Sequence, residues 1–102
     1  MKYNTISQYE AKRMMDDGDV IILDVRTREE YESGHIKDAV LLPNENIENE
    51  KDVNIENKDA VILVYCRSGN RSKQAAGKLA SYGYTNVYEF GGISSWEYET
   101  VK

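Results

Sequence analysis

The 102 residues hold one cysteine, Cys66, one proline, Pro43, one histidine, His35, one tryptophan, Trp96, and one phenylalanine, Phe90. A lone cysteine excludes an internal disulfide and a Cys-x-x-Cys pair, and no grouping of His, Cys and carboxylates has metal-ligand spacing, so no metal and no cofactor are expected. No apolar run nears the ~20 residues that cross a bilayer. Met1-Lys2-Tyr3-Asn4-Thr5 lacks the apolar stretch of a signal peptide. Basic residues are outnumbered, with 13 Lys and Arg against 18 Asp and Glu and a net charge of −5. That disfavours nucleic acid and acidic membrane surfaces as partners. The expectation is a cytoplasmic protein in a reducing compartment. Its length fits one domain over residues 1–102 with one core.

What is present is an alternation. Ser7-x-x-Glu10 has capping-box spacing and predicts a helix over about 8–17, ended by Gly18. Val20-Ile21-Ile22-Leu23 is a short continuous apolar run, as in a strand covered on both faces. Thr27-x-x-Glu30 opens a second helix to about Ser33. Ala39-Val40-Leu41-Leu42 reads as a strand stopped by Pro43, and Ala60 to Tyr65 as the strongest strand. Residues 72–82 are predicted helical with Gly83 behind them, 86–90 form a fourth strand, and a last helical turn after Gly91-Gly92 carries Trp96. Residues 44–59, rich in Asn, Glu, Asp and Lys, read as a surface excursion with one helical turn. Strand and helix in alternation indicate an α/β domain with a mainly parallel sheet. Such sheets bind ligands at the carboxyl ends of their strands. The strongest strand ends at Tyr65, and the next residue is the only cysteine.

The segment Cys66-Arg67-Ser68-Gly69-Asn70-Arg71-Ser72 joins that strand to a helix. Gly69 and Asn70 tolerate left-handed backbone, so the loop can turn several N–H groups inward as an anion cradle. The following helix adds its positive end. Arg67, Arg71 and Lys73 form a basic island in an acidic chain. Each feature favours a thiolate over a thiol, so a lowered Cys66 pKa is expected and no general base is required. Ser72 reads equally as a helix cap. A buried, inert thiol is the bland alternative for Cys66.

The chain resembles the rhodanese superfamily along nearly its whole length. Asp24-Val25-Arg26, Glu30-Tyr31, Gly34-His35-Ile36, Ala39 and Pro43 are similar to the family's "DVR…EY…GHI…GA…P" signature, with Asp38 where the family more often has Gly. Residues 66–72 resemble its active-site loop, and Phe90-Gly91-Gly92 with Trp96 resembles its "GG…W" signature. Three motifs in order are far more specific than one. The resemblance implies a central, mainly parallel five-stranded sheet flanked by helices on both faces, the fifth strand being the edge at Tyr3-Asn4-Thr5-Ile6. It also implies a sulfurtransferase. Cys66 takes sulfane sulfur from a small anionic donor such as thiosulfate, a persulfide is held by the loop amides, and cyanide, a thiol or a protein removes the sulfur.

Loop length separates related chemistries. Cys66 and Arg71 stand in a Cys-x4-Arg spacing, whereas relatives acting on phosphate or arsenate have one residue more. The alternatives are a non-turnover sulfur carrier or sensor, and a phosphatase or arsenate reductase, which the short loop disfavours. Asp24 and Arg26 are expected as structural support close to the loop, as the resemblance implies. His35 reads as hydrogen-bonded structure, Glu30 as a cap, and Trp96 and the tyrosines as core or rim. A monomer or weak dimer is expected.

Overall fold

A computed structural model describes residues 2–102. In chain order its regular elements are β1 (Asn4–Thr5), α1 (Gln8–Asp17), β2 (Val20–Asp24), α2 (Arg28–Ser33), β3 (His35–Ile36), β4 (Val40–Leu41), β5 (Val61–Cys66), α3 (Asn70–Ser81), β6 (Asn86–Gly92) and β7 (Thr100–Val101). Five strands pair in parallel in the order β1-β6-β5-β2-β4. The edge strand implied by the resemblance is β1, with Asn4 opposite Tyr88. No helix among the described residues is long and apolar enough to cross a membrane.

The local signals work as their chemistry requires. Ser7 caps α1 by accepting the Glu10 amide. Thr27 and Glu30 close a reciprocal capping box on α2. The centre of β5 is buried on both faces because helices cover both. On one face Ala75, Ala76 and Leu79 of α3 pack on Leu23, Val25, Ile62, Val64 and Val87. On the other, Ala11 of α1 packs with Ile22, Leu63, Tyr65 and Phe90, closed by Ile36 and Ala39. Each fully buried aliphatic side chain contributes about 1.5–3 kcal/mol, and the fully buried Ile62, Leu63 and Leu79 anchor the two layers.

Three details depart from the sequence expectations. Helix α3 begins at Asn70, two residues early, because Gly69 takes the N-cap with φ 117°. Residues 44–59 make two 3-10 turns rather than one, and they are not all surface. Asn44, Ile47 and Val53 are buried, and the Asn44 side chain donates to Gln74 of α3. Finally, β3 and β7 form a separate antiparallel pair, His35 opposite Val101 and Ile36 opposite Thr100. Strands of two residues carry no periodicity to read.

Candidate active site

Side chains alternate along β5, so Tyr65 and Cys66 enter opposite layers. Cys66 lies on the α3 side, nearly fully buried. The ladder between β5 and β6 slips between Val64 and Cys66 and resumes with Cys66 opposite Gly92. The chain then doubles back through residues 67–69. The positive φ of Gly69 aims its amide at Cys66, and that N–H donates to Sγ at 3.0 Å.

Gly92 makes this approach possible. A Cβ there would lie 2.0 Å from the Arg67 carbonyl oxygen and 2.5 Å from the Ser68 nitrogen. Nothing larger than hydrogen fits between the Cys66 loop and β6. Beyond it, the Ser94 amide donates to the Arg67 carbonyl at 3.1 Å. The Gln8 side chain donates to the Gly92 carbonyl at 2.8 Å and to Ser95 Oγ at 2.9 Å. The C-terminal glycine motif is therefore the bed on which the loop rests.

Ser72 occupies the third position of α3, completely buried, so it is no helix cap. Its hydroxyl lies 3.5 Å from Cys66 Sγ, 3.0 Å from the Gly69 carbonyl and 2.8 Å from Glu89 Oε1. Burial pushes the Cys66 thiol up. The Ser72 hydroxyl and the amides of Ser72, Gly69 and Ser68 outweigh it, so the thiol titrates below its ordinary value. The cause is hydrogen bonding more than the basic island, since Arg67 and Lys73 are exposed. Ser68 and Asn70 also face solvent.

Arg71 is half-buried and committed to a partner. Its two terminal nitrogens donate to the two Glu30 oxygens at 2.7 and 3.0 Å, tying α3 to α2. This hydrogen-bonded guanidinium is the main reason the Glu30 carboxyl falls to about 2. Glu30 thus serves both its own helix and the first turn of α3. The Arg71 charge also bears on Cys66.

Asp24 and Arg26 sit in the other layer. Arg26 donates to both Asp24 oxygens, to Oδ2 at 2.7 Å from Nη2, and from the same nitrogen to the Gly34 carbonyl at 2.7 Å. The Tyr65 hydroxyl donates to Asp24 Oδ2 at 2.6 Å and accepts the Ile36 amide. Among the described residues none of these side-chain bonds reaches residues 66–72. The pair supports the loop only through the strand, where the Val25 amide donates to the Tyr65 carbonyl. His35 stacks on Tyr31 at 3.7 Å between centroids and lies 2.9 Å from the Tyr31 carbonyl through Nδ1. The sequence reading passed over Glu89. Its signal was available: in Val87-Tyr88-Glu89-Phe90, period two puts Glu89 on the same face as buried Val87.

Residues 7–99 match the family described as Rhodanese-like domain. The thiosulfate sulfurtransferase GlpE of Coxiella burnetii is 33% identical over 98 residues, covering 95% of this chain and 90% of that protein. A tRNA uridine(34) hydroxylase of Hamiltonella defensa is 31% identical over 93 residues, but this chain spans only 26% of its length. Among solved structures, a rhodanese-related protein of Thermoplasma volcanium superposes with a TM-score of 0.82 at 27% identity, covering 97% of this chain and 98% of that one. By sequence along nearly its full length and by fold, the chain belongs to the rhodanese-like domain family.

Proposed function

We propose that this protein is a sulfurtransferase whose nucleophile is Cys66. The Cys66 thiolate attacks the outer sulfur of an anionic donor such as thiosulfate. A sulfur–sulfur bond forms at Sγ, the donor's own sulfur–sulfur bond breaks, and sulfite leaves with the bonding pair. The persulfide keeps one negative charge on its outer sulfur. Cyanide, a thiol or a protein nucleophile then takes that sulfur, and Cys66 returns as a thiolate.

The observation that carries this reading is the amide cradle, with Gly69 N–H 3.0 Å from Sγ. The amides that stabilise a thiolate can turn to an outer sulfur anion one bond further out. With four residues between Cys66 and Arg71 the ring is small, which suits a single sulfur atom better than a tetrahedral phosphate. Ser68, Gly69, Asn70 and Ser72 frame the cradle, and Arg67, exposed beside the nucleophile, offers a cation to an approaching dianion. A working free thiol suits a reducing compartment such as the cytoplasm.

The test is thiosulfate-to-cyanide transfer, followed as thiocyanate, in the native protein beside Cys66→Ser. Turnover that disappears in the variant is expected. Absence of turnover together with absence of added sulfur on Cys66 by mass spectrometry would overturn the reading. Persulfide formation with slow turnover would instead identify a carrier that needs a protein acceptor.

A further inference from the structure

Sulfur transfer as described leaves one buried acid without a task. Glu89 is 1% exposed. Its Oε1 accepts the Gly91 amide at 2.7 Å and faces Ser72 Oγ at 2.8 Å. Its Oε2 is buried with no hydrogen-bond partner among the described residues. A buried carboxylate with one oxygen unmet is costly, and leucine would fill the same strand position without that cost.

The Ser72 hydroxyl owns one proton and has three oxygen acceptors and one thiol around it. These are Glu89 Oε1 at 2.8 Å, the Gly69 carbonyl at 3.0 Å, the Gly91 carbonyl at 3.3 Å and Cys66 Sγ at 3.5 Å. With Glu89 ionised, its carboxylate takes that proton, and Ser72 offers Cys66 only a lone pair, to which the S–H donates. With Cys66 ionised, Sγ needs the same proton. Two anions competing for one hydroxyl in a dry pocket do not coexist easily. One internal transfer resolves the conflict. The S–H bond breaks and its proton goes to Ser72 Oγ, while the original Ser72 proton forms an O–H bond at Glu89 Oε1. The hydroxyl is regenerated, now donating to Sγ and accepting from Glu89, with no change in net charge.

We propose that Glu89 is a positioning residue that holds the Cys66 proton, through Ser72, while the thiolate is in place. The inference rests on the reading of Cys66 as nucleophile. The charges facing the pocket are few. Arg71 approaches from α3 and is bound to Glu30 of α2. Arg67 and Lys73 are exposed. Glu89 is the acid that β6 contributes.

The experiment is the rate of Cys66 alkylation by iodoacetamide against pH, in the native protein and in Glu89→Gln. Glutamine can present its carbonyl to the Gly91 amide and to Ser72 but cannot take the proton. The expected result is a profile moved up by about one pH unit, with alkylation near neutrality about tenfold slower and equal rates once the thiol ionises unaided. A profile that overlays the native one overturns the proposal. So does a shift to lower pH, which is what removal of a bystander negative charge would give. In a Ser72→Ala background Glu89→Gln should add nothing, and an additive shift counts against the relay. If the glutamine variant does not fold, the native protein supplies the answer by infrared difference. Alkylation of Cys66 should remove a carboxylic acid C=O stretch, and a spectrum without that loss overturns the proposal. Alkylation needs no sulfur donor, so this result stands apart from the thiocyanate assay that decides the sulfur-transfer reading.

Discussion

Two buried polar networks begin at neighbouring residues of one strand and end differently. From Tyr65, the hydroxyl leads to Asp24, Arg26, the Gly34 carbonyl and the Ile36 amide, and both Asp24 oxygens are met. From Cys66, the thiol leads to Ser72 and Glu89, where one proton has too many takers and one oxygen has none among the described residues. The first network is closed, and a closed network of charged groups acts as a strut that holds α2, β3 and β5 in place. The second is under-satisfied, so its protons have more than one place to go. Adjacent positions on one backbone thereby divide a closed network from an open one.

The sharpest way to break the comparison is to open the closed network. Asp24→Ala leaves a buried Arg26 and the Tyr65 hydroxyl without their acceptor. The loss should be about 3–5 kcal/mol in urea unfolding, while the alkylation profile of Cys66 in the protein that remains folded stays as in the native chain. A changed profile would show that the two layers are coupled after all. Gly92→Ala comes next. Its methyl would overlap the Arg67 carbonyl, so about 1–3 kcal/mol of stability should go. Sulfur transfer should fall by about 100-fold, because displacing the loop misplaces the amides. Equal losses of stability in the two variants with unequal losses of turnover would sharpen the division.

The smallest expected effect lies between the networks, at Glu30. Its pKa is lowered from 4.5 to about 2, chiefly by the hydrogen-bonded Arg71. A group with a depressed folded pKa stabilises the fold above its unfolded value. That contribution is lost as pH falls from about 4.5 towards 2. Because the pair is about a quarter to a third exposed, the effect should be under about 1 kcal/mol. Glu30→Gln should flatten the fall of the urea midpoint over that window, and an unchanged slope would remove Arg71–Glu30 from the account of acid stability.

The features legible in the sequence were local ones. Caps at Ser7 and Thr27, apolar runs at 20–23 and 60–65, and Gly18 and Gly83 each act within a few residues, and each lies where its chemistry put it. The hidden features were non-local or two residues long. Glu30 and Arg71 are far apart in sequence, and nothing in either segment names the other. The β3–β7 pair is too short to show a period. Two details of the loop are adjusted: the cap, one of two readings open for Ser72, and the cations as the main cause of the lowered Cys66 thiol. Helix-start rules suggest a cap at Ser72, but the left-handed Gly69 moves the start upstream and turns the serine inward. Counting cations overlooked that Arg67 and Lys73 are exposed. Asp24 and Arg26, expected close to the loop, lie in the other layer because Asp24 pairs with Tyr65 in register, a pairing that no sequence pattern shows.

The order β1-β6-β5-β2-β4 also sets a timetable. Asn4, near the start of the chain, has its sheet partner at Tyr88, and the Cys66 loop has its bed at Gly92. On a ribosome, β1 is made well before β6 and waits for the strand it joins. Such distant pairings are slow to close and leave a nascent chain exposed to misassembly. Cys66 itself is made before the glycine that shapes its loop. Until β6 docks, the thiol lacks the glycine bed that shapes its cradle, so the hydrogen bonds that lower its pKa form only with the complete sheet.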